Sequence, residues 1–469
     1  MKFTTQLMAA LAGLGLVSQA MATDPVVYLT GSTAFRSTVF KALSDQSGTT
    51  NGIFMPGSLT FGTWGNASAS SGNYMVFHGE LTNAGAANGQ LVYVDCAWSG
   101  SEAGIASACG ATLTNTLRDG VLTNLNGSPE TWVDYPTATL AAAPAGNVQS
   151  GSPGKNGAPA NGAQLEASSH IADLAQADTS QAISFTPVIP GSTPAAKLTQ
   201  LVPFGTEAVV TFTVSRNVNP TPSQDWLDCS NITLPQLNIM LANGLAPASF
   251  ISGNTNDQEI CYLVGRNFGS GTRMNMLADS SYGAHKAVIQ NSIGNGVDPR
   301  DPAQSVTTLL LQNEGNNGYE SGGNVAKAMS NTGGSSTTGS CQQADPINPG
   351  TNWFAMCYVG PSDALNTGNN GGQTPPLFLN TNNWVTVDGE FSSNASIERG
   401  QWWLWGNEYL YGKNGISGIQ NSVGNALFNA VISQVISQNF GVAPGGHDPG
   451  IPYSLMNVSK ASDSAFPSF

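Results

Sequence analysis

Three short turns of small residues in this chain have the makings of an anion site. They are Gly31-Ser32-Thr33-Ala34, the stretch SGSEAG over 99–104, and Gly269-Ser270-Gly271-Thr272. Each follows an apolar, strand-like run, and each precedes a stretch that reads as a helix. The first turn of a helix exposes N–H groups that have no intrahelical partner, at the positive end of the helix dipole. Ser and Thr add hydroxyl donors, and glycine lets backbone approach a ligand without a Cβ in the way. Together these features suit a desolvated oxyanion. Any one such turn is also what an ordinary capped helix looks like. Three of them in one chain make a candidate set. A single arginine, Arg266, stands just before the third turn.

Other chemistries find little support. The P-loop pattern G-x-x-x-x-G-K-[ST] is missing. GSPGKNG over 151–157 lacks the leading glycine and the hydroxyl residue that would hold magnesium, and the turn after Arg266 has no lysine. No G-x-S-x-G nucleophile elbow occurs, and only four histidines are present. His78, His170, His285 and His447 stand apart from the cysteines, and no C-x-x-C unit occurs, so no metal site is expected. No cofactor is expected either. The formal net charge of -14 argues against nucleic acid and anionic membranes as partners, because both are bound through Lys and Arg.

The turns need elements to position them. PVVYLTGSTAFRSTVFKAL and QLVYVDCAWSGSEAGIASA each read as strand, turn and helix. HIADLAQADTS adds a strand with its loop, and EAVVTFTVSRN alternates as one β-branched strand. LPQLNIMLANG reads as an amphipathic helix ending at a glycine. Strands alternating with helices predict an α/β protein with largely parallel sheets. At 469 residues, the chain is too long for one simple core and predicts two lobes or more. Residues 137–165, 331–350 and 364–384 are rich in small polar residues and glycine or proline, and read as surface insertions.

The first 22 residues read as a signal peptide: Lys2, the short apolar stretch LMAALAGLGLV, and AMA ending at Ala22. The mature chain is expected to start near Thr23 and to be periplasmic or secreted. Six cysteines in an exported chain suggest three local disulfides: Cys96 with Cys109, Cys229 with Cys261, and Cys341 with Cys357.

The set of turns resembles that of the periplasmic phosphate-binding proteins of ABC transporters, within the class II solute-binding superfamily. YLTGSTAFRS resembles the first anion loop of that family, and SGSEAGI its second. ADLAQAD resembles its DFGASD segment. LVPFGTEAVVTFTVSRN resembles the crossover into the second lobe, and ITLPQLNIMLANG the helix that follows. GRNFGSGTR resembles its R-x-D-G-S-G-T stretch. GYESGGNVAKAM, WFAMCYVG and ASIERGQWWLWGNEYLY resemble its closing strands and C-terminal helix region.

The resemblance implies a two-lobed α/β fold of the class II periplasmic-binding-protein type, with mixed, mostly parallel sheets and the ligand in the cleft. It places the first lobe in 23–205, the second in 206–363 and the return to the first in 364–469. Carried over by position, Ser32, Thr33 and Ala34 line one wall, Ser101 comes from the second loop and Asp178 from the third. Arg266, Ser270, Gly271 and Thr272 come from the opposite lobe. The arginine supplies charge-assisted bonds. The carboxylate accepts a proton from a protonated oxyanion and repels one that carries none. The implied protein is a monomeric solute-binding protein and not an enzyme, with phosphate as the first-ranked oxyanion and an ABC transporter permease as partner. The alternatives are a secreted or cell-surface structural protein on the same fold, and a secreted hydrolase, for which no metal cluster or activated nucleophile is in view.

Two residues depart from the family's pattern. Glu102 stands where the second loop normally has a small or hydroxyl residue, and would oppose a fully charged anion unless it turns to solvent or pairs with Arg36 or Arg266. Phe268 stands where the family has an aspartate. Another oxyanion, an organic ligand or loss of binding therefore stay open. The aromatic run QWWLWGNEYLY is expected to pack as core rather than to stack on sugars. Arg273 is expected to pair on a helix surface, and His170 to be structural.

Overall fold

The computed structural model describes residues 24–46, 52–64, 72, 74–98, 100–110, 171–184, 193–218, 222–294, 310–319, 321–330, 354–365, 382–437, 450–463, 465 and 467–468, with short strands inside 131–169. The signal-peptide reading, His170, His447, Cys341 and most of the three insertions lie outside the described residues.

The strand β1 (Val26–Gly31) is followed by β2 (Thr60–Trp64), β3 (Tyr74–Glu80) and β4 (Leu91–Ala97). Then come β5 (Thr131–Asp134), β6 (Ala141–Ala142), β7 (Asn147–Gln149), β8 (Glu166–Ser169), β9 (Leu174–Ala177) and the long β10 (Val202–Thr211). All of these except β5 and β8, which pair with each other, belong to one nine-stranded sheet. The middle of the chain supplies β11 (Thr213–Arg216), β12 (Asn231–Ile232), β13 (Leu245–Pro247), β14 (Ile260–Val264), β15 (Gln290–Gly294), β16 (Leu310–Gly315), β17 (Phe354–Val359) and β18 (Trp384–Val387). These form a separate eight-stranded sheet. The final strand, β19 (Trp405–Gly412), returns to the first sheet between β10 and β9. The fold is therefore a two-lobed α/β fold in which the first lobe is built from both ends of the chain.

EAVVTFTVSRN, which reads as one strand, is split at Phe212. The residues before it pair with β19 and those after it pair with β17 and β18. The chain thus changes sheet at Phe212, beyond the expected boundary at 205. Its return follows β18, later than the expected 364, because β18 still pairs with β11 and β12. Within the expected insertion 137–165, β6 and β7 extend the first sheet by pairing with β2.

Both sheets are mixed, and the strands that carry the site, β1, β4, β9 and β14, each have a parallel neighbour. In the first sheet β1 runs parallel to β4 and to β9. In the second, β14 runs parallel to β17. Ligands in open α/β sheets sit beyond the carboxyl ends of such strands, and the three candidate turns and Asp178 all lie there. The helix Leu234–Asn243 confirms its sequence signals. Thr233 and Gln236 form a capping box, and Gly244 closes the helix in the left-handed region at φ 75°.

The expectation of a core role for the aromatic run holds, but its form differs. Trp405–Gly412 is β19 rather than part of a helical region, and it pairs with β10 and β9. Aromatic side chains suit a strand that is covered on both faces. Trp402 and Trp405 are fully buried, and Trp402 Nε1 donates to the Phe212 carbonyl at 2.9 Å. The tryptophans thus fill the junction where both chain crossings meet.

The expected disulfides Cys96–Cys109 and Cys229–Cys261 are not formed. Cys96, Cys109, Cys229, Cys261 and Cys357 are buried free thiols, and Cys341 lies outside the described residues. The first pair fails on geometry. Cys96 lies near the end of β4, while Cys109 caps the far end of the helix Ser101–Ala108 that follows. A helix of that length spans about 12 Å at ~1.5 Å per residue, beyond the roughly 7 Å that a disulfide tolerates between Cα atoms. Cys229 Sγ instead donates to the Ala248 carbonyl at 3.5 Å. Burial pushes the Cys109 and Cys229 thiols up to about 12 and raises those of Cys96, Cys261 and Cys357 as well, so all five stay protonated. For the first pair, proximity in sequence was a poor guide because strand and helix carry near neighbours to opposite ends of a layer.

Candidate functional site

The three turns meet. Ser32, Thr33, Ala34, Gly100, Ser101, Asp178, Arg266, Ser270, Gly271 and Thr272 line one small pocket between the sheets, with about 140 Å³ of empty space. Every residue expected at the site from the sequence is in the lining. Gly100 joins them, and it is the residue that caps the helix Ser101–Ala108.

The first lobe supplies two walls. β1 ends at Gly31, whose φ of 128° lies in the glycine region, and Ser32 N donates to the Gln176 carbonyl at 2.9 Å. This fixes the start of the Ser32–Ala34 turn against β9. Gly100 has φ 110° and is so close to the other lobe that a Cβ there would lie 2.5 Å from the Gly269 carbonyl oxygen. Ser101 opens its helix and is 2% exposed. Its hydroxyl donates to Asp178 Oδ1 at 2.5 Å, and Asp178 N donates back to Ser101 Oγ at 3.2 Å. The turn after β4 and the loop after β9 are therefore locked together inside the lobe.

The second lobe supplies the charge. Arg266 follows β14 and is 3% exposed. Its Nε donates to the Tyr319 carbonyl and its Nη1 to Thr272 Oγ1, both at 3.3 Å. Its backbone N–H meets the Tyr358 hydroxyl at 3.3 Å. Ser270 caps the helix Gly271–Asp279 by accepting from Arg273 N at 3.3 Å. Gly271 can only be glycine in this arrangement, since a Cβ would overlap Asp178 Oδ1. The lobes touch across the pocket: Glu102 N donates to the Gly269 carbonyl at 3.3 Å, and Asn275 Nδ2 to the Asp178 carbonyl at 2.6 Å. This is a closed arrangement.

Burial pushes the Asp178 carboxyl up to about 6, while the Ser101 hydroxyl and then the Arg266 charge pull it down. It is mostly a carboxylate at neutral pH and becomes neutral just below pH 6. The site thus pairs one guanidinium with one carboxylate of adjustable charge, surrounded by hydroxyls and the first-turn amides of helices.

The two departures resolve in different ways. Glu102 does not turn to solvent or line the pocket, and it is fully buried. Its Oε1 accepts from the Thr179 hydroxyl at 2.8 Å and from the Ser184 hydroxyl at 3.1 Å. Its charge is held by donors inside the first lobe. Phe268 is 1% exposed and belongs to the core. Arg273 is also fully buried rather than on a helix surface, and it donates to the Arg266 carbonyl at 3.3 Å and to Asn316. It braces the loop that carries Arg266.

Sequence reasoning missed the residues behind the pocket. Gln176, Glu207 and Glu408 are buried on β9, β10 and β19. Their only signal was a polar or charged residue within an apolar strand pattern, as in GTEAVV and WGNEYLY. Among the described residues there is no group of three or more His, Cys, Asp or Glu side chains placed to hold a metal.

No protein-family profile and no curated protein matches the sequence. Solved structures do. The chain is similar to a putative phosphate ABC transporter substrate-binding protein with bound phosphate from Clostridium perfringens, at 11% identity and a TM-score of 0.38, over 86% of this chain and 92% of that one. It is similar to a possible phosphate binding protein from Planctomyces limnophilus DSM 3776, at 12% identity and a TM-score of 0.31, over 84% and 82%. It is also similar to an ABC-type phosphate transport receptor from Vibrio cholerae, at 11% identity and a TM-score of 0.29, over 55% and 74%. Superposition this loose leaves the pocket's own geometry as the basis for a function.

Proposed function

We propose that the protein is an exported solute-binding protein that captures an oxyanion, with phosphate the first candidate, between its lobes. One observation carries this reading. Nine residues singled out for anion chemistry, from four separate chain segments, converge on a single pocket of about 140 Å³. Ordinary helix caps have no reason to meet in this way.

Arg266 supplies the charge and a planar fork suited to two oxygens of a tetrahedral anion. Ser32, Thr33, Ser270 and Thr272 supply hydroxyl donors, Ser101 holds Asp178 in place, and the helix starts supply amides. Asp178 accepts a hydrogen bond from a ligand O–H and repels an anion that has none. Capture proceeds by closure of the lobes over the two crossings beside Phe212 and the tryptophans. An ABC transporter permease is the proposed partner, and the protein acts as a monomer without catalysis. Among the described residues no helix is long and apolar enough to cross a membrane.

Titration calorimetry with phosphate, arsenate, sulfate and molybdate tests the reading. Saturable heat with phosphate or arsenate that is lost in Arg266→Ala is expected. Absence of both heat and thermal shift with all four ions would sink it.

A further inference from the structure

Behind the pocket wall lies an acidic pair that the capture chemistry above does not use. Glu408 is fully buried and Glu207 is 2% exposed. They come from neighbouring strands, and a β-bulge places them together. Thr206 pairs with Tyr409 and Ala208 with Glu408, so Glu207 is an extra residue without a partner in β19. Such a bulge re-aims the side chain it inserts. None of the four carboxyl oxygens has a well-directed hydrogen bond. Two further buried groups close the cluster. The Gln176 side chain lies beside Glu207 and the Ser32 hydroxyl beside Glu408. Neither the Gln176 amide nor Ser32 Oγ has a well-directed partner of its own. Ser32 also lines the pocket, so its hydroxyl stands between Glu408 and any ligand.

Among the described residues packed around the pair, no cation balances it. The elements packed on β19 are β9, β10 and the helices Ser101–Ala108, Gly271–Asp279 and Gly418–Ser437. Gly418–Ser437 carries no charged residue. In Gly271–Asp279, Arg273 is engaged by Asn316 and Asp279 by Lys460. In Ser101–Ala108, Glu102 is held by Thr179 and Ser184. On β10 the facing charge is Glu207, and after β9 it is Asp178. Two bare carboxylates in such a place would each cost several kcal/mol, and the customary outcome is that a proton is kept.

We propose that Glu408, as the neutral acid, is a positioning residue for the oxyanion pocket: its O–H donates to Ser32 Oγ and so points the Ser32 hydroxyl hydrogen at the ligand. The inference rests on the oxyanion reading above and deepens it. The ionised form reverses the bond. A Glu408 carboxylate takes the Ser32 hydrogen bond, turns the serine lone pairs toward the ligand and adds a negative charge behind the wall. Binding is then favoured by one proton held in the pair and lost when that proton leaves. Burial raises both carboxyls well above the usual range, and Asp178 and Glu207 raise Glu408 further, while the Gln176 side chain beside Glu207 and the Ser32 hydroxyl beside Glu408 pull the other way. Both shifts favour the neutral form. The two carboxyls titrate as a unit.

The test compares phosphate affinity of the full chain with that of Glu408→Gln from pH 5 to pH 9.5. The glutamine amide keeps a donor toward Ser32 at every pH. The ratio of the two affinities at each pH cancels the titration of phosphate and of Asp178. The expected ratio is near one at low pH. It then turns against the unmodified protein by about tenfold per pH unit once the pair loses its proton. Ser32→Ala is expected to bind more weakly, and in its background the Glu408→Gln change is expected to make no further difference at low pH, where the acid is neutral. The infrared carbonyl band of a buried protonated acid, read without ligand, is expected at neutral pH and is expected to lose intensity in Glu408→Gln. A flat ratio across the whole range, or no such band at neutral pH, overturns the proposal while leaving oxyanion capture intact. Failure of both proteins to bind any oxyanion removes the two readings together.

Discussion

Replacing Asp178 by asparagine tests the logic of the pocket most directly. The carboxyl is 2% exposed, accepts the Ser101 hydroxyl at 2.5 Å and feels the Arg266 charge. Asparagine keeps the shape but removes the negative charge and offers an N–H. A ligand O–H that donated to a carboxylate then loses a charge-assisted bond, worth about 1.5–3 kcal/mol. Phosphate affinity at pH 7.5 should fall by about 10- to 150-fold at ~1.4 kcal/mol per decade. Sulfate carries no proton and should bind more tightly, because Arg266 is no longer offset. The pH dependence supplies a second arm. With Asp178 raised to about 6, the unmodified protein carries the carboxylate above pH 6 and the neutral acid below it. Its sulfate affinity should therefore rise as the pH falls through 6, while that of the asparagine protein stays flat. Calorimetry at pH 5, 6, 7 and 8 reads all of this. Phosphate binding within about threefold of the unmodified protein, with no gain of sulfate binding, would refute the assignment of Asp178 as a filter.

Further tests address the rest of the arrangement. Glu102→Gln should leave phosphate affinity within about threefold, because the carboxyl faces Thr179 and Ser184 and not the ligand. It should lower the melting temperature, since hydrogen bonds to a charged acceptor contribute about 1.5–3 kcal/mol. Gly271→Ala should prevent closure, because its Cβ would overlap the Asp178 carboxylate. Small-angle scattering with saturating phosphate should then show no compaction. The buried pair Lys460–Asp279, at 2.7 Å, ties the helix Gly271–Asp279 to the chain end. Lys460→Met alone strands Asp279 and should cost about 3–5 kcal/mol by denaturant unfolding, and the double change with Asp279→Leu should cost less. The five buried thiols should resist alkylation in the native protein, and all five should react without reductant once it is unfolded.

The site was legible because its grammar is local. A strand end, a small-residue turn and a helix start are neighbours in sequence, so Ser32 to Ala34, Ser101 and Ser270 to Thr272 could be read directly. The helix Leu234–Asn243 was legible for the same reason, since its cap, its apolar face and Gly244 lie within a dozen residues. Glu102 was not legible. In a helix a carboxyl one position from the pocket points wherever its donors are, and those donors, Thr179 and Ser184, are about eighty residues away. Phe212 also hid its role. It sits within an unbroken alternating pattern, and only its partners on either side reveal that two sheets compete for that strand.

The amino-acid sequence alone sets out the candidate turns and their order. Backbone amides at helix starts and hydroxyls at caps follow from local geometry, and local geometry follows from residue type. Which of these groups face one another is settled by the three-dimensional packing. Convergence on one pocket, the overlap that forbids a side chain at residue 271, the free thiols and the acidic pair behind Ser32 all depend on contacts between segments far apart in the chain. Burial then raises the carboxyls of Asp178, Glu207 and Glu408, because the cost of removing a carboxylate from water is a property of its surroundings and not of its type.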